Sequence, residues 1–173
     1  EVDRYPESAG KEGDPLKLAV QRTQNFGNRK LLMVSTPTVV GYSKIHNEFL
    51  AGDQREFVVR CPECNQYNEL KWENVHWDSD DKGNVIESSV GLFCPHCGAK
   101  IRGPRKINPD ILQSGRWEVR NPQGRFRSYH INALNSPWVN LVDLVKDWVE
   151  INHRKDKAGL MEFINLKLGE PWE

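Results

Sequence analysis

Residues 55–72 read REFVVRCPECNQYNELKW and residues 88–103 read SSVGLFCPHCGAKIRG. Each stretch runs from a short β-rich segment through a Cys-x-x-Cys turn into a second short segment, which predicts two strands flanking a knuckle. Cys61, Cys64, Cys94 and Cys97 are the only cysteines of the chain. Two sulfurs from one tight turn can reach the same ion, and two such turns supply the four thiolates of a tetrahedral structural zinc site. Four reduced, buried cysteines are the alternative, and they leave the paired spacing unexplained. His96 lies inside the second knuckle, but four sulfurs already complete the shell. A closed sulfur shell has no position for water either, so this metal is expected to organise the fold and perform no chemistry.

Upstream of the knuckles the pattern changes. GDPLKLAVQRTQNF (13–26) has an Asp14 cap, Pro15 at the first helical position, and Leu16, Ala19, Val20 and Thr23 at helical spacing, predicting a helix from about Pro15 to Gln24. RKLLMVSTPT (29–38) is an apolar run ending in small hydroxyl residues and Pro37, which reads as a buried strand feeding a polar loop. A second helix is expected near Ser43–Leu50, with Ile45 and Phe49 on one face and Gly52 as its stop. Helix, strand, loop and helix in this order point to part of an α/β sheet, with functional groups at the carboxyl ends of its strands.

Downstream, DSDDKGN (78–84) reads as an exposed loop and NPDILQSG (108–115) as a short capped helix. RWEVRN (116–121) and RFRSYHIN (125–132) alternate as strands around Pro122-Gln123-Gly124. Two amphipathic helices follow. One carries Leu141, Leu144, Val145 and Trp148 on a stripe, and the other starts near Asp156 and carries Leu160, Phe163, Ile164 and Leu168 before Gly169 and Pro171. The six tryptophans (72, 77, 117, 138, 148 and 172) read as packing anchors and not as base-stacking platforms. The expected division is 1–54, 55–103 and 104–173.

With 38% hydrophobic and 28% charged residues, the 173-residue chain is that of an ordinary globular protein. No run approaches the roughly 18 apolar residues of a membrane helix, and no signal peptide is visible, so the chain reads as soluble and intracellular. In such a compartment paired cysteines hold metal more often than disulfides. The first residue is Glu1 and not Met, so the chain reads as a processed product or a piece of a longer protein. Its 24 basic and 24 acidic residues cancel overall, which argues against a general polyanion binder. The cancellation is uneven. Lys100, Arg102, Arg105, Lys106, Arg116, Arg120, Arg125 and Arg127 face only Asp110 and Glu118 between residues 100 and 127, making that stretch the candidate to track a DNA backbone or simply a solvated face.

In P-loop NTPases that carry a catalytic Glu, one strand ends in an Asp that holds Mg²⁺ next to a Glu that orients the attacking water, and the next strand often ends in a small polar sensor. Glu1, a helix and then KLLMVSTPT (30–38) stand in that order. Taken together, residues 1–64 with both knuckles and FINLKLGEPW (163–172) resemble large terminase subunits of the lambda type, the genome-packaging motors of phages. The resemblance covers nearly the whole chain.

It implies the C-terminal half of a P-loop NTPase (RecA-like) sheet over residues 1–54, an inserted four-cysteine zinc ribbon over 55–103, and a β-hairpin with amphipathic C-terminal helices over 104–173, the end of the ATPase domain. It implies that Glu1 matches the catalytic Glu, with the Mg²⁺-holding Asp one residue upstream. Ser35, Thr36, Pro37 and Thr38 match the segment that couples hydrolysis to movement. It further implies ATP and Mg²⁺ as ligands of the full-length parent, and double-stranded DNA, further large subunits, the small terminase subunit and the portal as partners, in the host cell cytoplasm and without a membrane. The chain departs from the pattern in two respects. It holds no G-x-x-x-x-G-K-S/T phosphate loop and no nuclease constellation after Trp172, so the isolated chain is expected neither to bind ATP tightly nor to hydrolyse it. Arg22, Arg29, Lys30 and Arg55 are candidates to act on the transferred phosphate, each against the simpler reading of a surface cation. A fragment of a helicase-type translocase, or a non-catalytic zinc-ribbon module that binds nucleic acid or protein, would share parts of this pattern.

Overall fold

The computed structural model describes residues 1–173. Helix α1 (Pro15–Arg22) is capped by Asp14, whose carboxylate accepts the Leu16 N–H at 2.8 Å. Helix α2 (Lys44–Ala51) is capped by Ser43, whose hydroxyl oxygen accepts the His46 N–H at 3.1 Å, and it ends at Gly52. Both helices match the sequence reading.

The run between them does not. Residues 29–38 form no ladder with another strand, and Leu31, Leu32 and Val34 are exposed, Leu32 at 89%. An apolar β-prone run becomes a strand only when another strand supplies partners for its N–H and C=O groups, and here none lies alongside. The sheets that do form are small and mostly antiparallel.

Strand β1 (Arg55–Arg60) is the centre of the first sheet. It pairs antiparallel with β2 (Tyr67–Glu69) through the first cysteine turn, antiparallel with β6 (Arg116–Val119), and parallel with β7 (Tyr129–His130). Since Arg55 pairs with both Val119 and Tyr129, β6 and β7 lie on opposite edges of β1. The hairpin expected around Pro122-Gln123-Gly124 is therefore replaced by two separate pairings with β1. The second sheet is antiparallel: β3 (Val75–His76), β4 (Gly91–Phe93) and β5 (Lys100–Arg102), with the second cysteine turn joining β4 to β5. Helix α3 (Pro109–Gln113) takes its cap from Asn108.

Helix α4 (Leu141–Arg154) buries Leu141, Leu144 and Val145 of the stripe that its periodicity announces, with Trp148 half-buried, and buries Val142 beside them. Helix α5 (Lys157–Phe163) runs into a π-turn over Ile164–Leu168 that ends at Gly169, where φ is +68°. Glycine takes that conformation at no steric cost. One hydrophobic core joins both sheets to α4 and α5, with Val59, Leu70, Leu92, Leu134, Leu141 and Val145 essentially closed to water. Trp72, Trp148 and Phe163 meet in it with ring centroids 5.0–5.3 Å apart, as packing anchors should. Trp138, 80% exposed, departs from that reading.

Candidate functional site

The two cysteine turns fold alike. Cys61 N–H donates to Gln66 O and Asn65 N–H to Cys61 O, while Cys94 N–H donates to Ala99 O and Gly98 N–H to Cys94 O. The residue after each second cysteine, Asn65 or Gly98, is left-handed, at φ +62° and +74°. These matched turns aim four sulfurs at one point. Cys61 Sγ lies 3.7 Å from Cys97 Sγ, Cys64 Sγ lies 3.7 Å from Cys94 Sγ, and ligand atoms of all four fall within 4.8 Å of one another.

A disulfide would need about 2.05 Å. A tetrahedron with metal–sulfur bonds of about 2.3 Å has sulfur–sulfur edges of about 3.8 Å, so the donor set fits a tetrahedral thiophilic ion. The thiols influence one another strongly. Burial opposes ionisation of Cys94, but the backbone amides of His96 and Cys97 and the thiols of Cys64 and Cys61 bring its pKa down to about 7. The Gln66 amide favours the Cys64 thiolate, yet burial and its three cysteine neighbours push that thiol up to about 12.

Two sequence-predicted segments also meet. The Glu1 backbone nitrogen donates to Val34 O at 2.9 Å, the Asp3 N–H to Ser35 Oγ at 3.2 Å, and Thr38 Oγ1 to Asp3 Oδ2 at 3.0 Å. The other oxygen of Asp3 accepts the Ile45 N–H at 2.7 Å in the first turn of α2. Pro37 is buried, and Ser35 donates its hydroxyl to Thr36 O at 2.9 Å. The far end of the loop is held by Trp172, whose N–H donates to Thr38 O at 2.8 Å and whose carbonyl accepts the Val40 N–H at 2.9 Å. Glu1 itself has an exposed side chain. Nothing in the sequence around Asp3 signals that its carboxylate will reach residues 38 and 45.

The basic stretch divides. Lys100, Arg105, Lys106, Arg116, Arg120, Arg125 and Arg127 are exposed, although Arg116 and Arg120 both bind Glu118 and Arg116 stacks over Tyr67 at 3.8 Å. Arg102 corrects the sequence reading. It is 1% exposed, and its guanidinium donates to the carbonyls of Leu134 and Val139, so it presents nothing to a phosphate backbone. Burial lowers its pKa to about 10. Arg55, a candidate for the phosphate, is spent on Asp53 at 2.8 Å and on the Tyr129 ring. Arg22, Arg29 and Lys30 are exposed.

The sequence did not single out a third cluster, formed by Glu56, Glu69 and His130. His130 Nδ1 lies 2.8 Å from Glu56 Oε2, and Nε2 donates to Leu168 O at 3.0 Å. Burial disfavours the charged ring, but the hydrogen bond and charge of Glu56, the Leu168 carbonyl and the charge of Glu170 outweigh it and raise the His130 pKa. Burial, with help from the Glu56 charge, raises Glu69.

The model of the phage terminase large subunit gpA, ATPase domain, matches residues 1–117. The chain belongs to this family. The model of the terminase large subunit gpA endonuclease domain matches residues 126–173, a stretch that the sequence reading placed at the end of the ATPase domain. The large terminase subunit of Enterobacteria phage P21 is 28% identical over 202 residues, and that of Escherichia phage lambda 27% over 199. Each alignment covers 100% of this chain and 29% of the relative, so the chain spans under a third of their length. No solved structure matches it.

The two matched segments interlock. Strand β7 lies beside β1, Trp172 holds residues 38–40, and Ser128 hydrogen-bonds both Asp53 and the Phe49 carbonyl. The family's ATPase and endonuclease models thus meet here within one sheet and one core. No helix is long and apolar enough to cross a membrane.

Proposed function

We propose that the chain forms part of the ATP-driven DNA-packaging motor of a phage large terminase subunit, with Glu1 as its catalytic Glu and Ser35–Thr38 as its coupling segment. The observation that supports this most is the attachment of Asp3 to the loop by two hydrogen bonds, its N–H donating to Ser35 Oγ and its carboxylate accepting the Thr38 hydroxyl. In that reading the Glu1 carboxylate orients the water that attacks the γ-phosphate, and the loop beside it registers loss of the phosphate. The hydroxyls of Ser35, Thr36 and Thr38 suit that role because they can exchange partners at small cost.

ATP with Mg²⁺ would supply the phosphoryl chemistry. The residues present do not by themselves build its phosphate site, since no Gly-rich loop with a Lys occurs in the sequence; that part belongs to the full-length parent. The apolar run 31–34 is then a strand of the parent's RecA-like sheet, which explains why Leu32 stands in water here. Cys61, Cys64, Cys94 and Cys97 hold a structural zinc and form a zinc ribbon around it. The seven exposed cations between Lys100 and Arg127 are the proposed contact with double-stranded DNA. Other large subunits, the small subunit and the portal are the proposed partners, in the host cytoplasm.

The test is Thr36→Ala in the full-length parent, read as ATP consumed per length of DNA packaged. The proposal expects nucleotide affinity within about twofold of wild type and a clearly larger ATP cost per base pair. An unchanged ratio in a folded variant would make Ser35–Thr38 a purely structural turn.

A further inference from the structure

We propose that Glu56, Glu69 and His130 form a second metal site, chemically distinct from the four cysteines and suited to a divalent transition cation such as Mn²⁺. One ligand atom from each residue lies within 4.8 Å of the other two. The sheet register explains the meeting. Glu56 pairs with His130 across β1 and β7, and Val58 pairs with Glu69 across β1 and β2. Since side chains two apart on a strand share a face, Glu56 and Val58 with both their partners project the same way.

His130 is oriented as a metal-binding histidine would be. A carbonyl can only accept, so Nε2 carries the proton given to Leu168 O, and Nδ1 is the nitrogen turned toward the carboxylates, 2.8 Å from Glu56 Oε2, where an ion would displace the proton that Nδ1 otherwise shares with that oxygen. Outer hydrogen bonds of this kind fix the tautomer and ring direction of metal-ligating imidazoles. The remaining contacts of Glu69 are long ones, Lys71 at 3.8 Å and Arg120 at 3.9 Å, and both cations are exposed enough to yield their place. Glu56, Glu69 and His130 all line the same open cavity of about 1660 Å³, so an ion can enter and water can complete its shell.

Two carboxylates and one imidazole suit a harder dication such as Mn²⁺, whereas four thiolates select a softer one such as Zn²⁺. Glu56 and Glu69 lie in the segment matched by the ATPase model and His130 in the segment matched by the endonuclease model. A bound cation would therefore clamp the two together, and by mass action it would stabilise the fold.

The experiment titrates the 173-residue chain, its cysteines already loaded with zinc, with Mn²⁺ alone. The readouts are free Mn²⁺ by electron paramagnetic resonance, nitrogen coupling to the bound ion by pulsed resonance, and the melting temperature. The proposal expects one saturable Mn²⁺ per chain, coupling to one imidazole nitrogen, and a melting temperature that rises with Mn²⁺. Glu69→Gln should weaken binding at least tenfold, and so should His130→Gln, while Glu63→Gln, an exposed glutamate in the first cysteine turn, should leave it unchanged. Glu69→Gln keeps both hydrogen bonds of His130 and so reports binding even if His130→Gln fails to fold. Absence of saturable binding, absence of nitrogen coupling in the wild-type chain, or full affinity in folded Glu69→Gln would each overturn the proposal.

Discussion

Asp3 joins Thr38 to α2: one carboxylate oxygen accepts the Thr38 hydroxyl at 3.0 Å and the other accepts the Ile45 N–H at 2.7 Å. It thereby acts as a second cap for α2 beside Ser43, with its negative charge at the positive end of the helix. Asp3→Ala should cost about 2–3 kcal/mol, since hydrogen bonds to a charged group contribute more than neutral ones, while Thr38→Val, which removes one bond, should cost about 1 kcal/mol. Denaturant melts of the two single variants and the double variant check this. Strict additivity would mean that Thr38 and Asp3 do not interact.

The cysteine site makes a different prediction. Protein purified without chelator should carry one zinc per chain, and removal of the metal should loosen residues 55–103 before the terminal helices, because metal binding to such a site is folding free energy. Hydrogen exchange with and without chelator reads the order of loosening. Loss of protection in α4 first, or a metal-free native protein, would contradict it.

Arg102 is expected to matter for stability and not for DNA. Arg102→Ala leaves the buried Leu134 carbonyl and the partly buried Val139 carbonyl unpaired and opens a gap, at a cost of about 3–5 kcal/mol. Arg105→Ala, on the exposed surface, should stay within about 0.5 kcal/mol of wild type. If the exposed cations contact DNA in the parent, Arg105→Ala should also reduce the salt dependence of DNA binding by close to one unit of log–log slope.

His130 predicts the sign of a pH dependence. Its pKa is raised in the folded chain, so its stabilisation is complete below the unfolded value near 6.5 and is lost as pH climbs through the folded value. Glu69 and Glu170, also raised, push in the same direction from lower pH. Without added divalent ions, the stability advantage of wild type over His130→Gln should shrink from mildly acidic to mildly alkaline pH, whereas His46, whose pKa burial lowers, contributes the opposite slope to both proteins. Parallel stability curves for the two proteins would count against the Glu56–His130 link.

Much of this was legible in sequence. Asp14, Ser43 and Asn108 announced their helices, and the spacing of Cys61, Cys64, Cys94 and Cys97 announced four sulfurs at one point, because both signals are local. Strand pairing is not local. The run Leu31–Val34 reads as a strand whether or not a partner lies beside it, and nothing near Tyr129 indicates that it will lie parallel to Arg55. The same holds for side chains whose role is set by what folds over them. Arg102 counts as a cation in any composition until the Leu134 and Val139 carbonyls close on it, and Glu56, Glu69 and His130 meet only through the register of three strands.

The most direct test of the motor reading is ATP turnover by the full-length parent carrying Glu1→Gln. The substitution keeps the size of the side chain and removes the charge that orients and polarises the attacking water. Nucleotide affinity should be retained, while turnover should fall by about 10²- to 10⁴-fold, the usual contribution of a positioned acid–base group. Hydrolysis at a near-normal rate by a folded Glu1→Gln protein would contradict the catalytic role given to Glu1.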